Sequence, residues 1–182
     1  MGSGELRISE QIGVARTADG TLHVAWERHG AGGEDALLRT PVSTAGVVGA
    51  TVPIVSAWAS VGDPALIAQG SALTVFFPAT QTLTTGDPHD GLDMAGSTDG
   101  GGSWSLAPAA VYGRDFAGAR TPSATATAAG FVQSWYAASE TVVHAGIDPA
   151  ADAQRGYGVG TNQSVASDPS GAVVVAWCTA VE

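Results

Sequence analysis

The sequence predicts an all-β protein, and three observations predict it. Apolar runs are only about four to six residues long, too short for packed helices. Glycine-rich turns separate them, with 25 Gly and 9 Pro among 182 residues. An aromatic residue closes the second run of each unit, and no segment carries a convincing amphipathic-helix period.

Four segments share one pattern of strand, turn and aromatic-ended strand. The first is Ile12-Gly13-Val14-Ala15, a turn at Asp19-Gly20, then Leu22-His23-Val24-Ala25-Trp26. The second is Pro64 to Ala68, a turn at Gly70-Ser71, then Leu73-Thr74-Val75-Phe76-Phe77. The third is Pro122 to Ala126, a turn ending at Gly130, then Phe131 to Trp135. The fourth is Ser164-Val165-Ala166, a turn over Asp168-Pro169-Ser170-Gly171, then Val173 to Trp177. Trp26, Phe77, Trp135 and Trp177 stand 51, 58 and 42 residues apart. Two further strands fit between successive aromatics: Ala36–Thr40 and Val52–Val55, Leu92–Gly96 and Ser105–Ala107, Thr141–Ala145 and a weak one near Gly156 to Val159.

Repeats of roughly 40–50 residues built from short strands are the signature of propeller blades, and a β-sandwich is the alternative. The expectation is a partial β-propeller of about three and a half four-stranded blades, near 11–62, 63–120, 121–162 and 163–182, with Glu5 to Ser9 as a further edge strand. An open arc of that kind expects further blades or a second chain to complete it.

Composition removes several chemistries. Acids outnumber bases 17 to 7, a net charge of −10, which disfavours a nucleic-acid surface. All seven bases are arginines, so a Schiff-base or phosphate-loop lysine is excluded. Cys178 is the single cysteine, leaving no intrachain disulfide and no cysteine-built zinc site. No stretch reaches the roughly 18 apolar residues of a membrane span. Met1-Gly2-Ser3-Gly4-Glu5 lacks the basic and apolar regions of an export signal and reads as the boundary of a fragment.

Ser97-Thr98-Asp99-Gly100-Gly101-Gly102-Ser103-Trp104 fits S-x-D-x-G-x-[ST]-W at Ser97, Asp99, Gly101, Ser103 and Trp104. Asp99 is suited to accept N–H bonds within its own turn, Gly101 to adopt φ > 0, and Trp104 to bury an apolar face. This segment resembles the Asp box of the sialidase-like (BNR-repeat) β-propellers. The resemblance implies a structural role for these five residues, on the face away from the active site, and an extracellular or cell-surface setting.

On the opposite face the convergent polar residues are Glu27, Arg28, His29, Glu34 and Asp35; Asp87, His89, Asp90 and Asp93; Tyr112, Arg114, Asp115 and Arg120; and Glu140, Tyr157 and Asn162. Arg28, Asp87, Asp90, Arg114 and Arg120 are the ligand-binding candidates. A sialidase, as the resemblance implies, clamps a carboxylate with three arginines and uses a Tyr–Glu nucleophile with an Asp acid/base. Gln11-Ile12-Gly13 stands where that family has Arg-Ile-Pro, and Arg120-Thr121-Pro122 lies in the third unit instead. Any glycoside hydrolase needs two carboxylates about 5–10 Å apart. Asp35, Asp63, Asp87, Asp90, Asp115 and Glu140 are available, and the catalytic candidates are Arg120, Arg28, Asp63 and Glu140.

Asp87, Asp90 and Asp93 also invite a calcium reading, although their spacing is not that of a calcium loop. No other metal or cofactor is expected. His23 and His144 read as packed or outward-facing, and Cys178 as a small hydrophobe. Trp58 either covers a blade edge or lines a groove. The expected function is glycan recognition by a secreted or surface-bound propeller. The alternatives are an exo-acting, sialidase-type glycoside hydrolase and a structural or protein-binding scaffold.

Overall fold

The computed structural model describes residues 11–112, 120–128, 130–137, 140–145, 154–156, 161–168 and 170–178. Every regular element among them is a β-strand, and all strand pairings are antiparallel. The first sheet is a meander of β1 (Gly13–Arg16), β2 (Leu22–His29), β3 (Asp35–Val42) and β4 (Val52–Trp58). In the second, β5 (Ser60–Val61) and β6 (Ala65–Gln69) pair along one edge of β7 (Ala72–Thr80), followed by β8 (Asp90–Ser97) and β9 (Ser105–Leu106). The third meander is β10 (Arg120–Thr127), β11 (Gly130–Ala137), β12 (Glu140–Ala145) and β13 (Gln154–Gly156). A hairpin of β14 (Thr161–Ser167) and β15 (Val173–Cys178) follows.

Turn chemistry sets these hairpins. At the β1–β2 turn Gly20 takes φ +86, which a side chain would resist, and Asp19 Oδ1 accepts the Thr21 N–H at 3.0 Å. Asp168 repeats the device, accepting the N–H groups of Ser170 (2.8 Å) and Ala172 (3.0 Å). The Ser97–Trp104 turn is the most fully bonded. Asp99 accepts Ser103 N–H (3.0 Å), Ser103 Oγ–H (2.7 Å) and Ser97 Oγ–H (2.8 Å), while Ser97 Oγ accepts Gly101 N–H (2.8 Å). These bonds, the Ser103 hydroxyl first, hold the Asp99 carboxyl far below the ordinary carboxylate range.

The first strand of each sheet packs against the first long strand of the next, β1 on β6, β6 on β10 and β10 on β14. Strand alternation divides β7 between two cores. Val75 and Phe77 join Ala25, Leu37, Val55 and Leu66 between the first and second sheets, with Trp104 packed alongside. Phe76 turns the other way, joining Ile67 and Leu92 and meeting Phe131 of the third sheet at a ring separation of 5.7 Å. Small residues face large ones: a Cβ on Gly13 would come within 2.9 Å of Leu66 Cβ.

Two strands depart from the sequence expectation. β5 is too short to register as an apolar run. It belongs to the second sheet, which therefore opens at Ser60. The third sheet opens at Arg120. Of the weak fourth strand expected near Gly156 to Val159, only Gly156 is described, as the end of Gln154–Gly156, and 157–159 lie outside the described residues.

Candidate functional site

The two ends of the sheets differ in chemistry. One end carries the β1–β2, β3–β4, β6–β7, β8–β9 and β14–β15 turns. There His23, only 1% exposed, accepts at Nδ1 from Arg39 Nε (2.9 Å) and Nη2 (2.6 Å). Burial, and then the Arg39 charge, lower the His23 pKa, so the ring is neutral and its Nε2–H is left to donate to Thr17 Oγ1 at 3.0 Å. Arg39 also donates to the Gly100 carbonyl at 2.7 Å, fastening the first sheet to the Ser97–Trp104 turn. His23 is thus packed, and Arg39 has a structural task.

The other end collects acids and histidines. β2 finishes in Glu27-Arg28-His29 and β3 begins at Asp35, and the register sets His29 directly opposite Asp35. His29 Nδ1 lies 2.7 Å from Asp35 Oδ1 and its Nε2 lies 3.3 Å from Glu27 Oε1. The His29 side chain is 25% exposed, whereas the Glu27 and Asp35 side chains are 9% exposed. Asp35 Oδ2 accepts the Val61 N–H at 3.1 Å, so the pair is anchored to the second sheet. Burial raises the Glu27 pKa; the charges of Asp63 and Asp35 act in the same direction, and His29 opposes them. Asp63, between β5 and β6, accepts the Gln11 N–H at 2.9 Å. Gln11 Nε2 in turn donates to the Pro122 carbonyl (2.8 Å) in the third sheet.

Trp58 continues this row. It pairs with Asp35 across β3 and β4, and its ring meets Phe77 at 5.8 Å and His89 at 5.4 Å. His89 Nδ1 lies 2.6 Å from Asp93 Oδ1. Asp93 is fully buried, and its Oδ2 has no hydrogen-bond partner among the described residues. Burial lifts the Asp93 pKa to about 6 against the opposing contact with His89. Two histidine–aspartate pairs therefore flank a buried tryptophan at one end of adjacent sheets.

The candidates from the sequence fall unevenly on this frame. Asp63 lies in it. Arg28 is exposed and, by alternation, projects from the face of β2 opposite to Glu27 and His29. Asp87 caps its own loop, accepting the Thr82 and His89 N–H groups, and Asp90 accepts from Thr80 Oγ1 at 3.0 Å. With Asp93 bonded to His89, the three acids of the calcium reading are committed in three directions. No group of three or more metal-ligating side chains occurs among the described residues. Arg120 opens β10 and Glu140 opens β12, their side chains lying outside what is described. Arg114, Asp115 and Tyr157 are outside the described residues, and of Asn162 only the strand position is described. Tyr112 is buried against Leu92 and Phe76. Sequence reasoning named Glu27, His29, His89 and Asp93 only as loop residues; their pairing needed the strand register.

Among the described residues no helix is long and apolar enough to cross a membrane. No protein-family model matches the chain, and no curated protein matches it.

Proposed function

We propose that this chain is a run of sialidase-like propeller blades whose acid- and histidine-lined end binds a glycan. The successive antiparallel sheets, two of them four-stranded meanders, the packing of β1 on β6, β6 on β10 and β10 on β14, and the Ser97–Trp104 turn at the opposite end support that reading. The single observation that carries it is the convergence of Glu27, His29, Asp35 and Asp63 from three segments at one end. Carboxylates and imidazoles accept and donate to sugar hydroxyls in fixed directions. Three acids, Glu27, Asp35 and Asp63, in a chain of net charge −10, favour a neutral sugar over a carboxylated one. A secreted or surface-associated setting follows from the resemblance.

The runner-up is glycoside hydrolysis, and one observation favours it. Burial raises the Glu27 pKa, and the charge of Asp63 adds to the rise, which suits Glu27 to hold a proton beside a second carboxylate. In that reading Glu27 protonates the leaving oxygen and Asp63 serves the other face of the sugar. The chain is tested on an array of neutral and acidic glycans, with Glu27→Gln and Asp63→Asn as variants. Binding of neutral glycans that both variants weaken at least tenfold is expected, and an array without signal above background overturns the reading. Turnover of a neutral fluorogenic glycoside that Glu27→Gln abolishes would promote the hydrolase.

A further inference from the structure

Among the described residues, apolar side chains are exposed on the outer sides of the first sheet and of the last hairpin. On β1, Gly13 and Ala15 turn toward the second sheet, Val14 is 48% exposed on the other side, and Ile12, just before the strand, is 52% exposed. Trp26 shares that outer side, opposite Leu38. It holds the place in the first sheet that Phe77 holds in the second, and Phe77 is completely buried against the sheet before it. At the far end, Val165 is buried toward β10, its N–H donating to Ser123 Oγ at 3.0 Å. Ala166 and Val174, paired across the hairpin, are exposed on its other side, as is Ala176, and Val174 is 68% exposed.

We propose that these two faces bind each other between copies of this chain, head to tail. Their residue sizes match the contact already present inside the chain. There the small face of Gly13, Ala15 and Ala25 receives the large face of Leu66, Val75 and Phe77. The hairpin offers the small face, with Ala166 and Ala176 around Val174, and the first sheet offers the large one, with Ile12, Val14 and Trp26. A neighbouring copy therefore extends an interface of known register and spacing. Charge agrees: Arg16 and Arg28 border the first-sheet face, while Asp168 stands at the turn end of the hairpin, the same end as Arg16. Because the two faces differ, the contact is heterologous and repeats from chain to chain until it closes. The inference is independent of the glycan reading.

Light scattering of the full chain after size exclusion tests it. The wild type is expected to run at a multiple of the 18.1 kDa chain mass, increasing with concentration until any ring closes. Val14→Asp and Val174→Asp each block one face, so each alone is expected to run as a single chain with unchanged β-sheet circular dichroism. Mixed together, they retain one intact face apiece and are expected to form a species of two chains and no larger. That rescue separates a blocked interface from a damaged fold. A wild type of single-chain mass at all concentrations overturns the proposal and leaves these faces to another protein. So does wild-type assembly by either variant, or a mixture no heavier than its parts.

Discussion

Asp93 offers the sharpest quantitative prediction, because its carboxyl is fully buried with one oxygen unpartnered among the described residues. Burial lifts its pKa from 3.8 to about 6. At about 1.4 kcal/mol per pH unit, that gap corresponds to a charging cost of about 3 kcal/mol in the folded state. The folded chain holds the proton between about pH 4 and 6 while the unfolded chain releases it, so stability falls as pH rises through this window. Below the window the cost is absent; above it the cost is complete. Asp93→Asn removes the titration while keeping the shape. Urea unfolding of both proteins from pH 4 to 7.5 should therefore show the variant gaining about 3 kcal/mol on the wild type across the window, whatever the offset at pH 4 from the altered bond to His89. In a His89→Gln background the window should move to higher pH, since the contact opposing burial is gone. A difference between wild type and Asp93→Asn that does not vary with pH would refute the reasoning.

Three further outcomes are expected. Gly101 sits at φ +85 with Arg39 Nε only 2.7 Å from where a Cβ would stand, so Gly101→Ala should cost about 1–3 kcal/mol in urea unfolding. Asp99 titrates in the folded chain below its unfolded value, so its stabilisation is present above about pH 4 and lost as pH falls. Asp99→Ala should accordingly lower the unfolding midpoint at pH 7, with a smaller deficit in strong acid. Millimolar calcium should leave the melting temperature unchanged, because Asp87, Asp90 and Asp93 each hold a different partner; a clear rise would restore the calcium reading.

The all-β character was legible because alternation and turn residues act locally. Leu22 to Trp26 and Leu73 to Phe77 announce strands on their own, and Asp19-Gly20 announces the turn between β1 and β2. β5 was not legible: two residues, Ser60 and Val61, precede an Asp63-Pro64 break that removes a ladder donor. Arg39 was hidden for a different reason. It alternates in phase with Leu37, so its place in the core depends on His23 and Gly100, which lie 16 and 61 residues away. The site was half legible: its residue types were named, but Glu27, His29, Asp35 and Asp93 lie in strands rather than in the expected loops. Which histidine meets which acid followed from register, with His29 opposite Asp35, and from the connection over 81–89 bringing His89 back onto Asp93 in β8.

Polar groups are buried at both ends of the sheets, and their bonding assigns them different tasks. At the turn end the buried pair is committed: Arg39 donates to His23 and Gly100, and His23 donates to Thr17, whose hydroxyl reaches Asp19 at 2.6 Å. A closed network of this kind fixes how the first sheet meets the second, and removing one member strands the others. At the other end His29 retains a quarter of its side-chain surface, Glu27 is held with a raised pKa, and Asp93 keeps an oxygen unpartnered among the described residues. Such groups cost stability, and they lie where the glycan site is proposed. Substitutions at Arg39 or His23 should therefore register in unfolding, and those at Glu27 or Asp63 in ligand affinity with little loss of stability. The turns hold the sheets together, and the proposed binding site lies at the opposite end.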